Sequence, residues 1–197
     1  MKQIVLASKN VDKLKEMRRV LGSLPLEILS LTEFADMPDA VEDGSTFEAN
    51  ALIKARFFRE QTGLACLADD SGLEVDALGG LPGVHSARFA GYHADDATNN
   101  QKLLNELAKR GVTESAAAYR CALAYVDTDG TEIVTDGKIS GTIKTVARGS
   151  GGFGYDPYFY LDADKTMAQL TVDEKNLISH RGAALKEMVS RLTEKFS

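Results

Sequence analysis

Leu64-Ala65-Cys66-Leu67-Ala68 follows a glycine and leads directly into Asp69-Asp70-Ser71-Gly72. Such a short apolar run predicts a buried strand. Two adjacent carboxylates at the end of that strand restrict the fold. Desolvating even one ionised carboxylate is costly unless it is paired, hydrogen-bonded or bound to metal. The strand end is therefore expected to open into a cleft, with at least one carboxylate facing a cation. With a phosphate-bearing ligand that cation is Mg²⁺, which takes few protein carboxylates and keeps waters and phosphate oxygens as its other ligands. The alternative is a polar turn, for which Asp, Ser and Gly are all favoured.

The 197 residues suffice for one α/β domain over residues 1–197, drawn out into two lobes. A content of 44% hydrophobic and 26% charged residues places the chain among ordinary soluble globular proteins. The net charge of -6 opposes non-specific nucleic-acid binding, which needs a clustered basic surface. No apolar stretch approaches the roughly 20 residues of a membrane span. Met1-Lys2-Gln3 runs straight into Ile4-Val5-Leu6-Ala7, too short for a secretory core and suited to a first strand. Cys66 and Cys121 both sit in apolar, strand-like runs. They read as buried thiols in a reducing cytoplasm, not as a disulfide or metal pair.

Along the chain, strand 3–7 turns through Ser8-Lys9-Asn10 into a helix with Val11, Leu14, Met17 and Leu21 on its apolar face, ending at Gly22. A second strand spans 26–31. Residues 39–44 form an acidic loop, and Ser45 or Thr46 caps a helix bearing Phe47, Ala51, Ala55 and Phe58 at helical spacing. After the Asp-Asp segment, Gly79-Gly80-Leu81-Pro82-Gly83 fixes a loop. A helix near 97–110 follows, and then two β segments (116–126 and 131–140) flanking the hairpin signal Thr128-Asp129-Gly130. A glycine-rich loop at 149–154 precedes Tyr155-Asp156-Pro157 and a short aromatic strand. Thr171-Val172-Asp173-Glu174 matches a capping box, and the last helix carries Leu185, Met188, Val189, Leu192 and Phe196. These elements predict an α/β fold around a mixed sheet with flanking helices.

Cations fall where helix dipoles disfavour them. Lys9 and Lys13 bracket the start of the first helix, whose N-terminus favours anions, and Asp12 only partly offsets them. A strand–turn–helix junction is an anion site that flanking lysines complete; the other reading is two solvated lysines. His180 and Arg181 pose the same question if Ser179 starts the last helix, and not if one helix runs unbroken from Thr171. Gly151-Gly152-Phe153-Gly154-Tyr155-Asp156-Pro157 has the composition of a ligand-contacting loop. Its glycines admit close backbone approach, and Phe153 or Tyr155 offers a face for stacking on a base. Asp156, ahead of proline, is held extended and can present a carboxylate. This loop lacks the Gly-Lys-Ser/Thr ending of the common phosphate-binding loop.

Four separated segments occur in a meaningful order: Ser8-Lys9-Asn10-Val11-Asp12-Lys13, Leu67-Ala68-Asp69-Asp70-Ser71-Gly72, Gly151-Gly152-Phe153-Gly154-Tyr155-Asp156-Pro157 and Ser179-His180-Arg181-Gly182. With Thr46-Phe47, Asn50-Ala51, 78–83 and Ser86-Ala87-Arg88, the chain resembles the noncanonical purine nucleoside triphosphate pyrophosphatases (inosine/xanthosine triphosphatases) over essentially its whole length. The resemblance implies an elongated α/β fold with two lobes and a nucleotide cleft between them, assembled as a homodimer. It implies Mg²⁺-dependent hydrolysis of inosine, deoxyinosine and xanthosine triphosphates (ITP, dITP and XTP) to the monophosphate and pyrophosphate. By position, Ser8, Lys9, Asn10, Val11, Asp12 and Lys13 match phosphate contacts, and Asp70 matches a metal ligand and proton acceptor. Ser71, Phe153, Gly154, Tyr155, Asp156, Lys175, His180 and Arg181 match substrate contacts, and Glu42 a second metal carboxylate. One departure is Phe47-Glu48-Ala49-Asn50, where many members carry glutamate at the third position; the role of Glu48 stays open.

The implied reaction is attack by a metal-associated water at the α-phosphorus with pyrophosphate leaving, which depends on positioning and charge neutralisation. Asp70, or a water relay through Asp69, takes the proton, and Lys9, Lys13 and Lys175 neutralise charge. A buried donor from His180 or Arg181 aimed at C6 would favour a 6-keto purine over adenine, whose amino group leaves the donor unpaired. Two rival readings are a nucleotide sensor without catalysis and a pyrophosphatase for modified pyrimidine nucleotides.

Overall fold

β1 (Lys2–Leu6) buries Ile4, Val5 and Leu6, so both of its faces are covered, as expected of a strand inside a parallel sheet. The computed structural model describes residues 2–34 and 37–196, without the side chains of Asp12 and Asn176. Six strands form one sheet in the order β2-β1-β3-β4-β5-β6. β1 pairs in parallel with β2 (Leu26–Ser30) and with β3 (Ala65–Val75), Leu6 facing Ser30 on one side and Leu67 on the other. β4 (Glu114–Val126) and β5 (Glu132–Lys144) flank the Asp129-Gly130 turn, and β5 pairs antiparallel with the short β6 (Phe159–Tyr160). The sheet is therefore mixed. Its helices are α1 (Val11–Leu21), α2 (Phe47–Thr62), α3 (Asp96–Lys109), α4 (Val172–Ile178) and α5 (His180–Phe196).

Two compact units make up the chain. The first comprises Met1–Asp70, Cys121–Gly137 and Arg181–Ser197. Its core gathers Ile4 and Leu6 of β1, Met17 and Leu21 of α1, Leu67 of β3, Leu123 of β4, and Leu185, Met188 and Leu192 of α5. The second comprises Ser71–Arg120 and Lys138–His180. Leu73, Val75, Leu103, Leu107, Tyr119, Ile143, Tyr155, Phe159 and Met167 form its core. Cys66 and Cys121 are buried free thiols, and burial pushes both up to about 12. Among the described residues no helix is long and apolar enough to cross a membrane.

Two local expectations need correction, and one open alternative is decided. β3 does not end at Ala68; it continues through Asp69-Asp70-Ser71-Gly72 to Val75, so the paired carboxylates lie neither at a strand end nor in a turn. The ladder tolerates them because each acid finds partners on its own face of the sheet. Val11 is 62% exposed and stands off the apolar face of α1, which Leu14, Met17 and Leu21 carry. Ser179, with φ -71° and ψ 154°, is extended and separates α4 from α5, so no helix runs unbroken from Thr171.

Candidate active site

Adjacent residues of a strand project to opposite faces, and Asp69 and Asp70 meet different helices as a result. Asp69 is buried on the face covered by α1 and α5. Its carboxylate lies 2.8 Å from Lys13 Nζ and 3.6 Å from Arg181 Nε. Glu16, one turn beyond Lys13 on α1, takes Arg181 Nη1 at 2.5 Å. Burial pushes the Asp69 carboxyl up, but Lys13, Arg181 and Lys54 outweigh it and hold the group well below the usual carboxylate range. Arg181 is fully buried; Asp69 and Glu16 overcome its desolvation and keep it charged.

Asp70 faces α2. Asn50 Nδ2 donates to its Oδ2 at 3.0 Å, and Asn50 Oδ1 accepts the Gly44 N–H at 2.8 Å. One buried amide thus ties the acidic loop to β3. Gly44 is needed for this approach, since a Cβ there would come within 2.7 Å of Asn50 Oδ1. One turn along α2, Lys54 Nζ lies 2.9 Å from Glu42 Oε2 and donates to the Asp69 carbonyl at 3.0 Å. Burial opposes the charge on Lys54, but Asp69, Glu42 and Asp70 hold its pKa above the ordinary lysine value. At Asp70 burial prevails: despite Lys54 and Asn50 its pKa is raised, and the like charge of Glu42 adds to the rise.

The start of α1 is a compact turn. Ser8 Oγ accepts the Asn10 N–H at 3.2 Å, and Asn10 Oδ1 accepts the Lys13 N–H at 3.1 Å, which caps the helix. Lys9 is exposed and pairs with Asp39 at 2.5 Å. The expected contact through Asp12 lies outside the described side chains.

The remaining candidates assemble in the second unit. Asp156 Oδ2 accepts Lys175 Nζ at 2.6 Å and the Phe153 N–H at 3.0 Å, while Oδ1 accepts the Tyr119 hydroxyl at 3.1 Å. Gly152, at φ +73°, is required here, because a side chain would run into that carboxylate. Lys175 Nζ sits 4.3 Å from the centre of the half-buried Phe153 ring. His180 stacks on Tyr119, ring centres 4.9 Å apart and planes 15° from parallel. Tyr155 is 4% exposed and donates its hydroxyl to the Ser86 carbonyl, so its ring belongs to the core and Phe153 is the available face. Gly154 accepts from Asn100 Nδ2 and donates to Asp96. Ser71 is half-buried on β3.

Lys13, Asp69 and Arg181 therefore form one group, and Phe153, Asp156, Lys175 and His180 form another. Sequence neighbours His180 and Arg181 belong to different groups. Lys54, Glu16 and Tyr119 escape a reading of the sequence alone. The first two carry a usable signal: Lys54 is four residues from Asn50, and Glu16 three from Lys13, spacings that share a helix face. Tyr119 lies within an apolar strand run and has no such mark.

Chemically, buried acids opposed by lysine and arginine beside a capped helix N-terminus can bind a polyanion and place a carboxylate against it. A sequence profile of the Ham1 family matches residues 4–191. The chain is 48% identical over 186 residues to a dITP/XTP pyrophosphatase of Geobacter sulfurreducens, covering 94% of each protein. It is 48% identical over 194 residues to one of Cutibacterium acnes, covering 96% of this chain and 95% of that protein. A solved HAM1 protein from Coxiella burnetii superposes with a TM-score of 0.90 at 45% identity, covering 98% of this chain and 100% of that one. With a profile that spans nearly all of it and relatives this similar over their full length, the chain belongs to the Ham1 family.

Proposed function

We propose that this protein hydrolyses noncanonical purine nucleoside triphosphates, dITP, XTP and ITP, to the monophosphate and pyrophosphate. The observation that carries the reading is the division of labour at Asp69-Asp70. One acid is fully committed to Lys13 and Arg181; the other is buried, raised in pKa and set beside Glu42 and Lys54. Asp70 is the proton acceptor, since a carboxyl raised toward the working pH is a stronger base than one held far below it. Asp69 fixes Lys13 and Arg181. The phosphates lie on Lys13 and the N–H groups at the start of α1, where cation and helix dipole favour the same charge. Lys54 adds positive charge as pyrophosphate departs.

Glu42 and Asp70 fit a hard divalent cation: both offer carboxylate oxygens, and both already act on one ammonium, that of Lys54. Mg²⁺ held there would neutralise phosphate charge and acidify water. On the base side, Phe153 stacks on the purine and His180 donates to the 6-keto oxygen. Arg181 is committed to Glu16 and Asp69. Asp156 acts through the loop it holds. The family resemblance also supports a homodimer in the cytoplasm, which light scattering and fractionation test.

The test is product analysis with inosine, deoxyinosine, xanthosine, guanosine and adenosine triphosphates, with and without Mg²⁺. The expected result is Mg²⁺-dependent release of pyrophosphate, fastest from the 6-keto substrates without a 2-amino group. Binding without turnover would indicate a sensor, and preference for modified pyrimidines a different pyrophosphatase.

A further inference from the structure

Tyr119 of β4 reaches both Asp156 and His180. Its hydroxyl donates to Asp156 Oδ1 at 3.1 Å, and its ring lies 15° from parallel with the imidazole of His180. The ring is fixed from a second side by Phe159, with centres 4.5 Å apart. Phenylalanine would fill this space equally well. Placing a hydroxyl there instead puts a third donor on a buried carboxylate that already accepts from Lys175 and the Phe153 N–H. Burial, reinforced by the Asp156 charge, keeps the hydroxyl protonated and therefore a donor.

We propose that Tyr119 is a positioning residue for base selection, holding Asp156 and His180 in fixed relation to each other. The inference rests on the reading of this chain as a purine triphosphate pyrophosphatase. Phe153 and Lys175 are both tied to Asp156, so the rotation of that carboxylate sets the stacking face. The N–H bonds of an imidazole lie in its ring plane, so the stack on Tyr119 sets the direction in which His180 donates. Discrimination by such a donor depends on its aim: a misdirected N–H loses the 6-keto partner while its penalty against adenine weakens.

The test compares Tyr119→Phe and Tyr119→Leu with the unaltered protein. It reads kcat and KM for inosine and adenosine triphosphates, thermal midpoint, and the ring-current shift of the His180 protons by NMR. Tyr119→Leu should lower the inosine-to-adenosine ratio of kcat/KM about tenfold, mainly through KM, and abolish the ring-current shift. Tyr119→Phe should keep the shift and lower the ratio about threefold, since one of three donors is lost. Folded variants that keep the original ratio, or lose activity equally toward both nucleotides, overturn the proposal. If Tyr119→Leu does not fold, an unchanged ratio in Tyr119→Phe is sufficient to reject it. Absence of any inosine preference in the unaltered protein would instead reject the parent reading.

Discussion

Lys54 Nζ stands 2.9 Å from Glu42 Oε2 and 3.0 Å from the Asp69 carbonyl, and the Asp70 charge also acts on it, so one ammonium serves both acids proposed to hold a metal ion. It balances their charge when no divalent ion is bound. Replacing it with methionine should cost about 1–2 kcal/mol of metal-free stability, because half-buried Glu42 and buried Asp70 lose a shared counter-charge. Turnover should fall about a hundredfold, as for loss of a preorganised charge. With the ammonium gone, Mg²⁺ should raise the melting temperature of Lys54→Met more than that of the unaltered protein. Equal Mg²⁺ stabilisation of the two would show that Lys54 and the ion do not share these acids.

Asp70→Asn separates catalysis from folding. Burial raises the Asp70 pKa, so the folded state holds its proton more tightly than the unfolded one. The stability of such a group is greatest when protonated and declines as pH rises from the ordinary carboxylate value through the raised one. The amide therefore removes a penalty at neutral pH and none in acid. The variant should lose about a thousandfold in turnover, yet melt no lower than the unaltered protein at pH 7 without metal. A large drop in metal-free melting temperature would make Asp70 a structural anion.

The sheet strands, the caps at Thr46 and Thr171 and the last helix were legible because period and capping chemistry are local signals. The grouping of the site was not. Asp69 and Asp70 look equivalent in a string of letters, and only their opposite projection from a continuing β3 gives one to α1 and α5 and the other to α2. Tyr155 resembled a stacking residue by its glycine neighbours, but its hydroxyl reaches Ser86, sixty-nine residues away, and draws the ring inward. The break at Ser179 starts α5 at His180, and the first two residues of that helix then go to different partners, His180 to Tyr119 and Arg181 to Glu16 and Asp69. Pairings of this sort depend on long-range packing, which no window of sequence contains.

Glu16 and Arg181 form a buried pair at 2.5 Å, and removing Glu16 leaves the buried guanidinium with Asp69 as its remaining counter-charge. Glu16→Gln should cost about 3 kcal/mol in chemical denaturation. Arg181→Met should cost a similar amount and leave Asp69 to Lys13 and Lys54. The double variant should cost less than the sum of the two by about 2 kcal/mol, the coupling expected of residues in direct contact. Additive losses would mean that Arg181 depends on Asp69 alone. Turnover of Glu16→Gln should fall less than that of Arg181→Met, because the guanidinium remains within reach of Asp69.

Acid stability should follow Asp127 together with Asp69. Asp127 is 1% exposed, with Lys2 Nζ at 2.5 Å, Lys195 Nζ at 3.2 Å and the Thr128 N–H at 2.7 Å. Burial pushes its carboxyl up, but Lys2, the Thr128 N–H and Lys195 hold it well below the ordinary range. A depressed carboxylate contributes its full stability above the unfolded-state value near pH 4 and loses it as pH falls through the window beneath. Lys195, raised by burial-opposing bonds to Asp127 and Asp129, gives up its share only above the ordinary lysine value. Asp127→Asn should therefore melt below the unaltered protein at pH 7, and the gap should narrow as acid protonates the natural carboxylate below about pH 4. Turnover at permissive temperature should be unchanged, since Asp127 follows β4 and its ion pairs among the described residues go to Lys2 of the first strand and Lys195 of the last helix. A gap of constant size from pH 7 down to pH 2 would show that the loss comes from packing, and that the charge on Asp127 contributes nothing to it.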